Sequence, residues 1–411
     1  MRKARSDSAH REEALRVLVA PSGFKEGLDV SDVADAMARG VRNAMPHCRL
    51  VSVPVFDGGE GFARALTRLH KGRMQKQRVT GPMGKPVDAS FGIMTIDGQC
   101  VAAIEISAAA GLRLVPKHRR NLMVTTSRGV GELIAAALDV KVERILVGCG
   151  DSGVNDGGAG MAEALGIRFL DARNRPIGAG GGALAKLARV DLTARDPRLS
   201  GVSIEVCLNI RNMLLGPQGV SRVFGPQKGA SERQIDQLDR GMQRYASCLK
   251  AATGKDAARL KGGGASGGLG AALHILFGAR LIPRFKFIQQ FIPLDDYIAD
   301  ADLIITAEGR IDAQTCRGKI PGDIARHAKA SGKPVIVLAG AIGPGAEQCY
   351  RHGVSAFVSI LDKPYLLEDA IEHTRRLLQH STESLMRVLA VGGELPARPL
   401  RQNVSTDRRR L

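Results

Sequence analysis

The chain has 411 residues, of which 44% are hydrophobic, so it can form two domains with extensive cores. No apolar run approaches the roughly 20 residues that span a bilayer, and the N-terminal segment MRKARSDSAHREEA lacks the apolar core of a signal peptide. We therefore expect a soluble, cytoplasmic protein. The seven cysteines include no CxxC pair, which argues against both a disulfide framework and a structural zinc site.

The formal charge of +18 is compatible with nucleic-acid binding, but aromatic residues make up only 4% of the chain and Trp is absent. Stacking platforms for bases are therefore few. Much of the excess positive charge lies in arginine-rich segments and in the C-terminal RQNVSTDRRRL. Basic clefts also attract small anions such as ATP and carboxylates. We expect a small-molecule substrate, no specific nucleic acid and no membrane.

The first predicted elements are an apolar strand, Leu15 to Ala20, and an amphipathic helix that begins near Ser31. Asp29 or Ser31 is the expected helix cap. The buried face of this helix carries Val33, Ala36 and Met37. A second strand, Val51 to Phe56, leads into DGGEG and a helix through Phe62, Leu66 and Leu69.

Strands and helices alternate along the rest of the chain. Further strands are predicted at Ile145 to Val147, Ile204 to Leu208, Leu303 to Thr306, Val335 to Ala339 and Ala356 to Ile360. This alternation predicts an α/β protein whose mostly parallel sheets are covered by helices on both faces. We expect two lobes, with the active site in the cleft between them. An open Rossmann-like domain (15–81 plus 295–390) would carry an inserted α/β domain (82–294), and the charged tails 1–14 and 391–411 would be disordered.

The segment from Val142 to Asp171 combines a short strand, a glycine-rich loop and a helix from Ala159, an architecture that binds phosphate. Gly148, Gly150 and Gly153 satisfy GxGxxG, and Asp171 follows about twenty residues later, where dinucleotide-binding folds carry a ribose-binding acid. Taken alone, this pattern indicates an NAD-dependent dehydrogenase. The same loop carries Asp151, Ser152, Asn155 and Asp156. Carboxylates repel phosphate unless a cation lies between them, so this loop favours a kinase with Mg²⁺.

Charged and polar residues follow the other strands at the edge where parallel sheets bind ligands. They are Lys25; Asp57, Gly58, Gly59 and Glu60; and Glu308, Arg310 and Asp312 with the nearby Gln314 and Lys319. Other candidates are the acid Glu105 within an apolar run, the hydroxyls of Thr125, Thr126 and Ser127, the pair Gln227 and Lys228, and Gly267 and Gly268 within a glycine run. Such a set supplies the metal ligands, cations and backbone donors that phosphoryl transfer needs. The histidines show no metal-ligand spacing, and no GxSxG elbow is present.

Seven segments together resemble the bacterial glycerate kinase family over residues 15 to 390. In chain order they are APSGFKEGL, DGGEGFARAL, TTSRGVGELI, SGVNDGGAGM, VFGPQKGA, GGGASGGLG and TAEGRIDAQTCRGKIP. The family is a two-domain group unrelated to P-loop kinases, and it transfers the ATP γ-phosphate to a hydroxyl of D-glycerate. The resemblance implies this activity, with the 2-hydroxyl favoured and with ATP and Mg²⁺ as cofactors. A kinase of a related hydroxy or sugar acid is the alternative, and a homodimer is an open possibility.

The resemblance also implies roles for the candidate residues. Lys25, Asp57, Asp156 and Lys228 would be catalytic, and Asp57 and Asp156 would hold the metal. Substrate and phosphate would contact Gly58, Gly59, Glu60, Glu105, Thr125, Thr126, Ser127, Ser152, Asn155, Asn212, Gln227, Gly267, Gly268, Glu308, Arg310, Asp312, Gln314 and Lys319.

Three segments depart from the family pattern. Where the family reads APDSFKGS, this chain has Ser22 and Gly23; where it reads GGSATNDGG, this chain introduces Asp151 and Val154. Where it reads DVDNPLLG, Asn209 and Arg211 replace two acids. Replacing acids by Asn and Arg raises the local positive potential, which would suit a more anionic substrate or a rearranged metal shell.

Overall fold

A computed structural model describes residues 14–24 and 28–394. The strands are β1 (Arg16–Val19), β2 (Arg49–Ser52), β3 (Arg73–Thr80), β4 (Pro86–Ile96), β5 (Gln99–Glu105), β6 (Arg144–Gly148), β7 (Arg168–Leu170), β8 (Arg189–Asp191), β9 (Ser203–Leu208), β10 (Arg280–Pro283), β11 (Leu303–Ile311), β12 (Val335–Ile342) and β13 (Ala356–Ser359). The helices are α1 (Val30–Ala44), α2 (Phe62–Leu69), α3 (Ser107–Ala110), α4 (Arg128–Asp139), α5 (Ala159–Ala164), α6 (Val220–Phe224), α7 (Glu232–Thr253), α8 (Ala265–Phe277), α9 (Arg284–Ile288), α10 (Leu294–Asp300), α11 (Ile320–Ala330), α12 (Leu367–Glu372) and α13 (Thr374–Glu394). Lys25 and most of the two predicted tails lie outside the described residues.

The first sheet has five parallel strands in the order β13-β12-β11-β1-β2. Strand β1 pairs with β2 on one side and with β11 on the other, where Val17 lies opposite Leu303. On one face α1 packs against α13 so closely that a Cβ on Gly40 would lie 2.4 Å from the carbonyl oxygen of Gln379. The predicted open parallel sheet is confirmed.

The second sheet has six strands in the order β10-β9-β6-β5-β4-β3. Strands β5, β6, β9 and β10 are parallel, whereas β3, β4 and β5 form an antiparallel meander. The sequence interpretation missed this meander, because β3 reads RMQKQRVT and is an exposed edge strand with little apolar patterning. A separate hairpin joins β7 to β8.

The two sheets share one apolar layer. Phe62 and Leu66 of α2 are fully buried between Met94 and Leu146 of the second sheet and Ile304 of the first. The Phe62 ring packs edge-on against Phe56 at 5.5 Å between centroids. The carboxyl edges of the two sheets are therefore held next to each other by a continuous core.

The first βα unit shows how its sequence positions the site. Asp29 caps α1 by accepting a 3.0 Å hydrogen bond from the amide of Asp32, and the predicted face of the helix is buried. The second strand ends at Ser52, earlier than predicted. Between it and Asp57, the side chains of Val53, Val55 and Phe56 are buried. The loop that begins at Asp57 is thus anchored by apolar side chains immediately before it.

The first sheet uses strands from residues 16–52 and 303–359, and the second uses strands from 73–283. Strand β3 therefore belongs to the second sheet although all of it falls in the range 15–81 that was assigned to the first domain. The domain limits themselves stay a prediction. Helix α13 continues to Glu394, past the predicted start of the C-terminal tail. Within residues 14–24 and 28–394, no helix is both long and apolar enough to cross a membrane.

Candidate active site

Loops from both sheets meet at their carboxyl edges. A Cβ on Gly58, which follows β2, would lie 2.9 Å from the carbonyl oxygen of Cys207 in β9 and 3.1 Å from the amide nitrogen of Cys149 after β6. A Cβ on Gly150 would lie 2.5 Å from the Cα of Gly59. Only residues without side chains allow the backbones to approach this closely. The predicted loops after β2 and β6 are thereby brought together.

Two carboxylates face each other across Gly59. A Cβ on this residue would lie 2.2 Å from Oδ2 of Asp151 and 2.9 Å from Oδ1 of Asp57. Asp57 accepts a 2.9 Å hydrogen bond from the Gly59 amide, and Asp151 accepts one of 3.2 Å from the Glu60 amide. Asp151 has a backbone φ of 48°, a left-handed conformation that is strained for a residue other than glycine.

Glu60 adds a third acid at the rim of this site. Its carboxylate is exposed and forms a 2.8 Å ion pair with Arg113. Among the residues that the structure describes, no three His, Cys, Asp or Glu side chains form a group that could hold a metal ion. The pair of Asp57 and Asp151 nevertheless fits Mg²⁺, which binds proteins through one or two carboxylates and takes its other ligands from phosphate and water.

Asp156 is a fully buried acid whose oxygens are occupied. Its carboxylate accepts hydrogen bonds from the amide and the hydroxyl of Ser127 at 2.7 and 2.8 Å, and from the amides of Gly158 and Gly160 at 3.1 and 3.3 Å. Burial raises the pKa of Asp156, and these donors oppose that rise. The acid joins the start of α4 to the start of α5, and its oxygens are directed at backbone and hydroxyl donors.

Lys228 lies in the same region with its ammonium group buried. Nζ donates 3.0 Å hydrogen bonds to Oγ of Ser152 and to the carbonyl oxygen of Val154. Burial lowers the pKa of Lys228 to about 8, although the charges of Asp156 and Asp151 oppose this shift. The neighbouring Gln227 side chain is exposed, and the backbone carbonyl oxygen of Gln227 accepts a 3.2 Å hydrogen bond from Arg120.

Two more predicted residues carry buried polar atoms without a hydrogen-bond partner in the described part of the chain. They are Oγ1 of Thr125 and Oδ1 of Asn155, each in a side chain about 1% exposed. The amide group of Asn155 donates to Oγ of Ser221 at 2.9 Å, which fixes its orientation. A buried polar atom left unpaired costs about 1–3 kcal/mol, so such atoms indicate a place where a ligand or water supplies the missing partner. Thr126 is also buried, and its hydroxyl accepts from the Arg128 amide.

Glu105 ends β5 as a buried carboxylate. It accepts from the amide of Ala63 in α2 at 3.1 Å and from the hydroxyl of Ser107 at 3.4 Å. Burial raises its pKa to about 7. Glu105 therefore titrates near neutrality while it holds the start of α2.

A second charged cluster follows β11. Lys319 lies 3.2 Å from Glu308 and 3.3 Å from Asp312, and Glu308 also accepts a 2.6 Å hydrogen bond from Thr315. Burial raises the pKa of Glu308, and Lys319 is the main opposing charge. Arg310 and Gln314 are exposed beside it. Lys319, Glu308 and Asp312, which the sequence interpretation placed together, are thus in contact, and their role in the site stays a prediction.

Gly267 and Gly268 allow close packing between loops. Both have left-handed φ values, and their Cβ atoms would lie 2.2 Å from the carbonyl oxygen of Val154 and 2.7 Å from the Cα of Gly157. Asn212 joins the same assembly, since its carbonyl oxygen accepts from the Gly264 amide at 3.0 Å. These contacts place the glycine run against the loop after β6.

The GxGxxG interpretation is not supported by its geometry. Gly148 packs against the Phe62 ring and Gly153 against the Leu112 backbone. Asp171 lies in the turn between β7 and β8, where it pairs with Arg175 at 3.0 Å. A ribose-binding acid would instead lie at the carboxyl edge of the sheet that carries the glycine loop.

The sequence interpretation missed Arg284, the first residue after β10. Its side chain is only 12% exposed and extends to Asp57 and to Asp323 of α11, with nitrogen–oxygen distances of 3.7 Å to each carboxylate. Its position after an apolar strand was the available signal, because strand ends at this edge carry ligand-binding residues. The departures Ser22 and Asn209 are also at this edge; Ser22 donates to the carbonyl oxygen of Ala307 at 2.8 Å.

Comparison with known proteins supplies the family. The glycerate kinase family model matches residues 17–390. The chain belongs to the glycerate kinase family.

Individual relatives match over nearly their full length. A Bacillus subtilis protein named glycerate kinase is 43% identical, covering 90% of this chain and 97% of the relative. An Escherichia coli protein named glycerate 2-kinase is 42% identical over 92% of this chain and 99% of the relative. A crystal structure of a Salmonella typhimurium protein assigned as glycerate kinase 2 is similar with a TM-score of 0.75 and 40% identity, covering 93% of this chain and all of that one. The predicted family and the predicted α/β fold with mostly parallel sheets are confirmed.

Proposed function

We propose that the protein is a glycerate 2-kinase, which transfers the γ-phosphate of ATP to the 2-hydroxyl of D-glycerate. The observation that carries this proposal is the match to the glycerate kinase family over residues 17–390, together with the relative named glycerate 2-kinase. The acids and buried cations at the joined sheet edges are the groups that such a transfer needs. A cytoplasmic location, where ATP is supplied, is part of the proposal.

In the proposed reaction, the hydroxyl oxygen attacks the γ-phosphorus while the bond to the bridging β–γ oxygen breaks and ADP leaves. Asp57 is the proposed acceptor of the hydroxyl proton, because its Oδ2 is directed into the junction of the two sheets toward Arg284. Lys228 would neutralise charge on the transferred group, since its ammonium is buried where water screens it little.

We propose that Mg²⁺ is held by Asp151 with Asp57 beside it. When bound, Mg²⁺ would neutralise the phosphate oxygens, which these carboxylates would otherwise repel. Asp156 was expected to hold the metal, and we now assign it a different role, because four donors occupy its carboxylate. Asp156 would position Ser127 and the loop that presents Asn155.

The test is ADP release by the purified protein with ATP, Mg²⁺ and D-glycerate, followed by phosphorus NMR of the product. We expect glycerate-dependent release of ADP and formation of 2-phosphoglycerate. A 3-phosphoglycerate product would overturn the assignment of the 2-hydroxyl. ADP release that responds to another hydroxy acid but not to glycerate would show a kinase for a related acid.

A further inference from the structure

The strongest observation that the proposed function leaves unused is a small space beside Gly318 that is bordered by nitrogen donors. Gly318 has a φ of 110°, and among the described residues, its chain neighbours aside, a Cβ built on it would approach two atoms within 4 Å. These are Nδ2 of Asn209 at 3.7 Å and Nη2 of Arg284 at 3.9 Å. The three residues come from the loop after β11, the loop after β9 and the start of α9, so the space lies where the two sheet edges meet.

Arg284 is held in place by charge, but its hydrogen-bonding capacity is not used. In the described part of the chain its buried Nε has no hydrogen-bond partner. Its terminal nitrogens lie 3.7 Å from oxygens of Asp57 and Asp323, which is beyond hydrogen-bond distance. A guanidinium carries five N–H donors in a planar fork, and leaving such donors unpaired in a buried site is costly. The geometry therefore calls for an acceptor that this part of the chain does not provide.

Asn209 points a donor into the same space. Its Oδ1 accepts a 3.1 Å hydrogen bond from the Arg211 amide, so the amide NH₂ is the group that faces Gly318. An aspartate here would present a second acceptor and a negative charge instead. Because Asn209 replaces an acid of the family pattern, the side chain at this position offers a hydrogen-bond donor to the space beside Gly318.

We propose that Arg284 and Asn209 bind the carboxylate of the hydroxy-acid acceptor, with Gly318 leaving room for it. A carboxylate is planar with two acceptor oxygens, which match the Nε and Nη2 edge of a guanidinium. Nη1 would stay directed at Asp57, which places the carboxylate end of the acceptor next to the proposed proton acceptor. The inference rests on the proposed function, because it names the part of the substrate that the site recognises.

The test compares R284K, R284Q and N209D with the wild type in the ADP-release assay, with glycerate and ATP varied separately. We expect R284Q to raise KM for glycerate roughly tenfold to hundredfold, as for the loss of a charge-assisted hydrogen-bonded pair, with KM for ATP changed less than twofold. R284K should lie between R284Q and the wild type, since it keeps the charge but loses the fork. N209D should also raise KM for glycerate.

R144Q is the matched control. Arg144 has a side chain 14% exposed, an ion pair with Glu205 at 2.9 Å and a buried Nε that has no hydrogen-bond partner among the described residues, but it lies at the opposite, amino end of the second sheet. R144Q should leave both KM values unchanged. A binding readout independent of turnover is the rise in melting temperature on adding glycerate at a fixed concentration, which R284Q should reduce strongly and R144Q should retain.

The outcomes separate the two proposals. A wild-type protein that shows no glycerate-dependent ADP release would refute the proposed function itself. An active wild type whose R284Q variant keeps its KM and its glycerate-induced melting shift would overturn only the carboxylate site. A selective rise in KM for ATP would overturn it as well, because the guanidinium would then bind the nucleotide.

Discussion

Asp57 and Asp151 lie on opposite sides of Gly59, and their proposed roles differ enough to be separated by isosteric variants. Asp57→Asn removes the proton acceptor, so we expect turnover to fall by on the order of a hundredfold, with a smaller change in the Mg²⁺ requirement than Asp151→Asn causes. Asp151→Asn removes a metal carboxylate, so a higher Mg²⁺ concentration should be needed for half-maximal rate. Steady-state rates over a Mg²⁺ titration measure both. The same response from both variants would contradict this division of roles.

A variant of Asp156 can show whether this buried acid stabilises the fold or takes part in catalysis. Asp156→Asn places an NH₂ group against amide and hydroxyl donors, so at least one donor loses its partner. We expect the free energy of unfolding to fall by roughly 3 kcal/mol or more, measured by urea denaturation. If the variant instead unfolds like the wild type but has lost its turnover, the original prediction of a catalytic Asp156 is right.

Lys228 makes activity and stability respond to pH in opposite directions. Its pKa is lowered from 10.5 to about 8, so above pH 8 the ammonium loses its proton and its charge. Turnover should therefore decline from pH 8 upward, and Lys228→Met should show no such decline at its lower rate. Between pH 8 and 10.5 the unfolded chain binds more protons at this residue than the folded one, so the contribution of Lys228 to folding stability rises with pH.

The pH experiment consists of kcat from pH 6 to 10 with saturating substrates and urea unfolding over the same range, for wild type and variant. The difference between the two proteins isolates Lys228 from other titrating groups. A wild-type turnover that stays constant to pH 10 would show that the charge of Lys228 is not used in transfer.

At the scale of elements, the backbones of the loops after β2 and β6 approach each other closely at Gly59 and Gly150. A Cβ at Gly150 would meet the Cα of Gly59 at 2.5 Å, so Gly150→Ala should push the two loops apart. Because these loops carry Asp57 and Asp151, we expect turnover to drop by roughly tenfold or more, as a small misplacement of reacting groups does. Gly201→Ala is the control, since none of the residues that the structure describes, apart from its chain neighbours, has an atom within 4 Å of the added carbon.

The sequence predicted elements with strong patterns and missed those whose patterns are weak. The alternating apolar strands and the α1 face were predictable because burial selects those residues. The edge strand β3 was not, since its polar sequence satisfies only backbone pairing. The sequence placed the candidate site residues at strand ends. It did not indicate which of their carboxylates accept hydrogen bonds from the protein at every oxygen. Asp156 and Asp151 stand five positions apart in one loop, and only the donors around each distinguish them.

Arg284 illustrates the same limit. A single arginine after a strand has no spacing pattern, and its relation to Asp57, Asn209 and Gly318 arises from four separate loops or helices. Such a site is defined by the meeting of distant segments, which one sequence does not reveal.

At the scale of the whole molecule, the charge of +18 is proposed to serve solubility and the attraction of anions. Deleting the residues after Glu394 should leave glycerate phosphorylation intact, because every described site residue lies before that point. Oligonucleotide binding, measured from low to physiological salt, should be weak, independent of sequence and lost steeply as salt rises. Tight, sequence-selective binding at physiological salt would contradict this account of the charge.

The strand order also determines which sheet can form first while the chain is being synthesised. All six strands of the second sheet lie between Arg73 and Pro283, so that sheet can be completed while the later part of the chain is still being made. The first sheet cannot, because β1 must wait for β11, whose pairing residues follow it by 286 positions. Two strands alone are not a stable sheet in water. A nascent chain that stalls before Leu303 would therefore hold a finished second sheet with the apolar layer around Phe62 uncovered, which is the surface that chaperones bind.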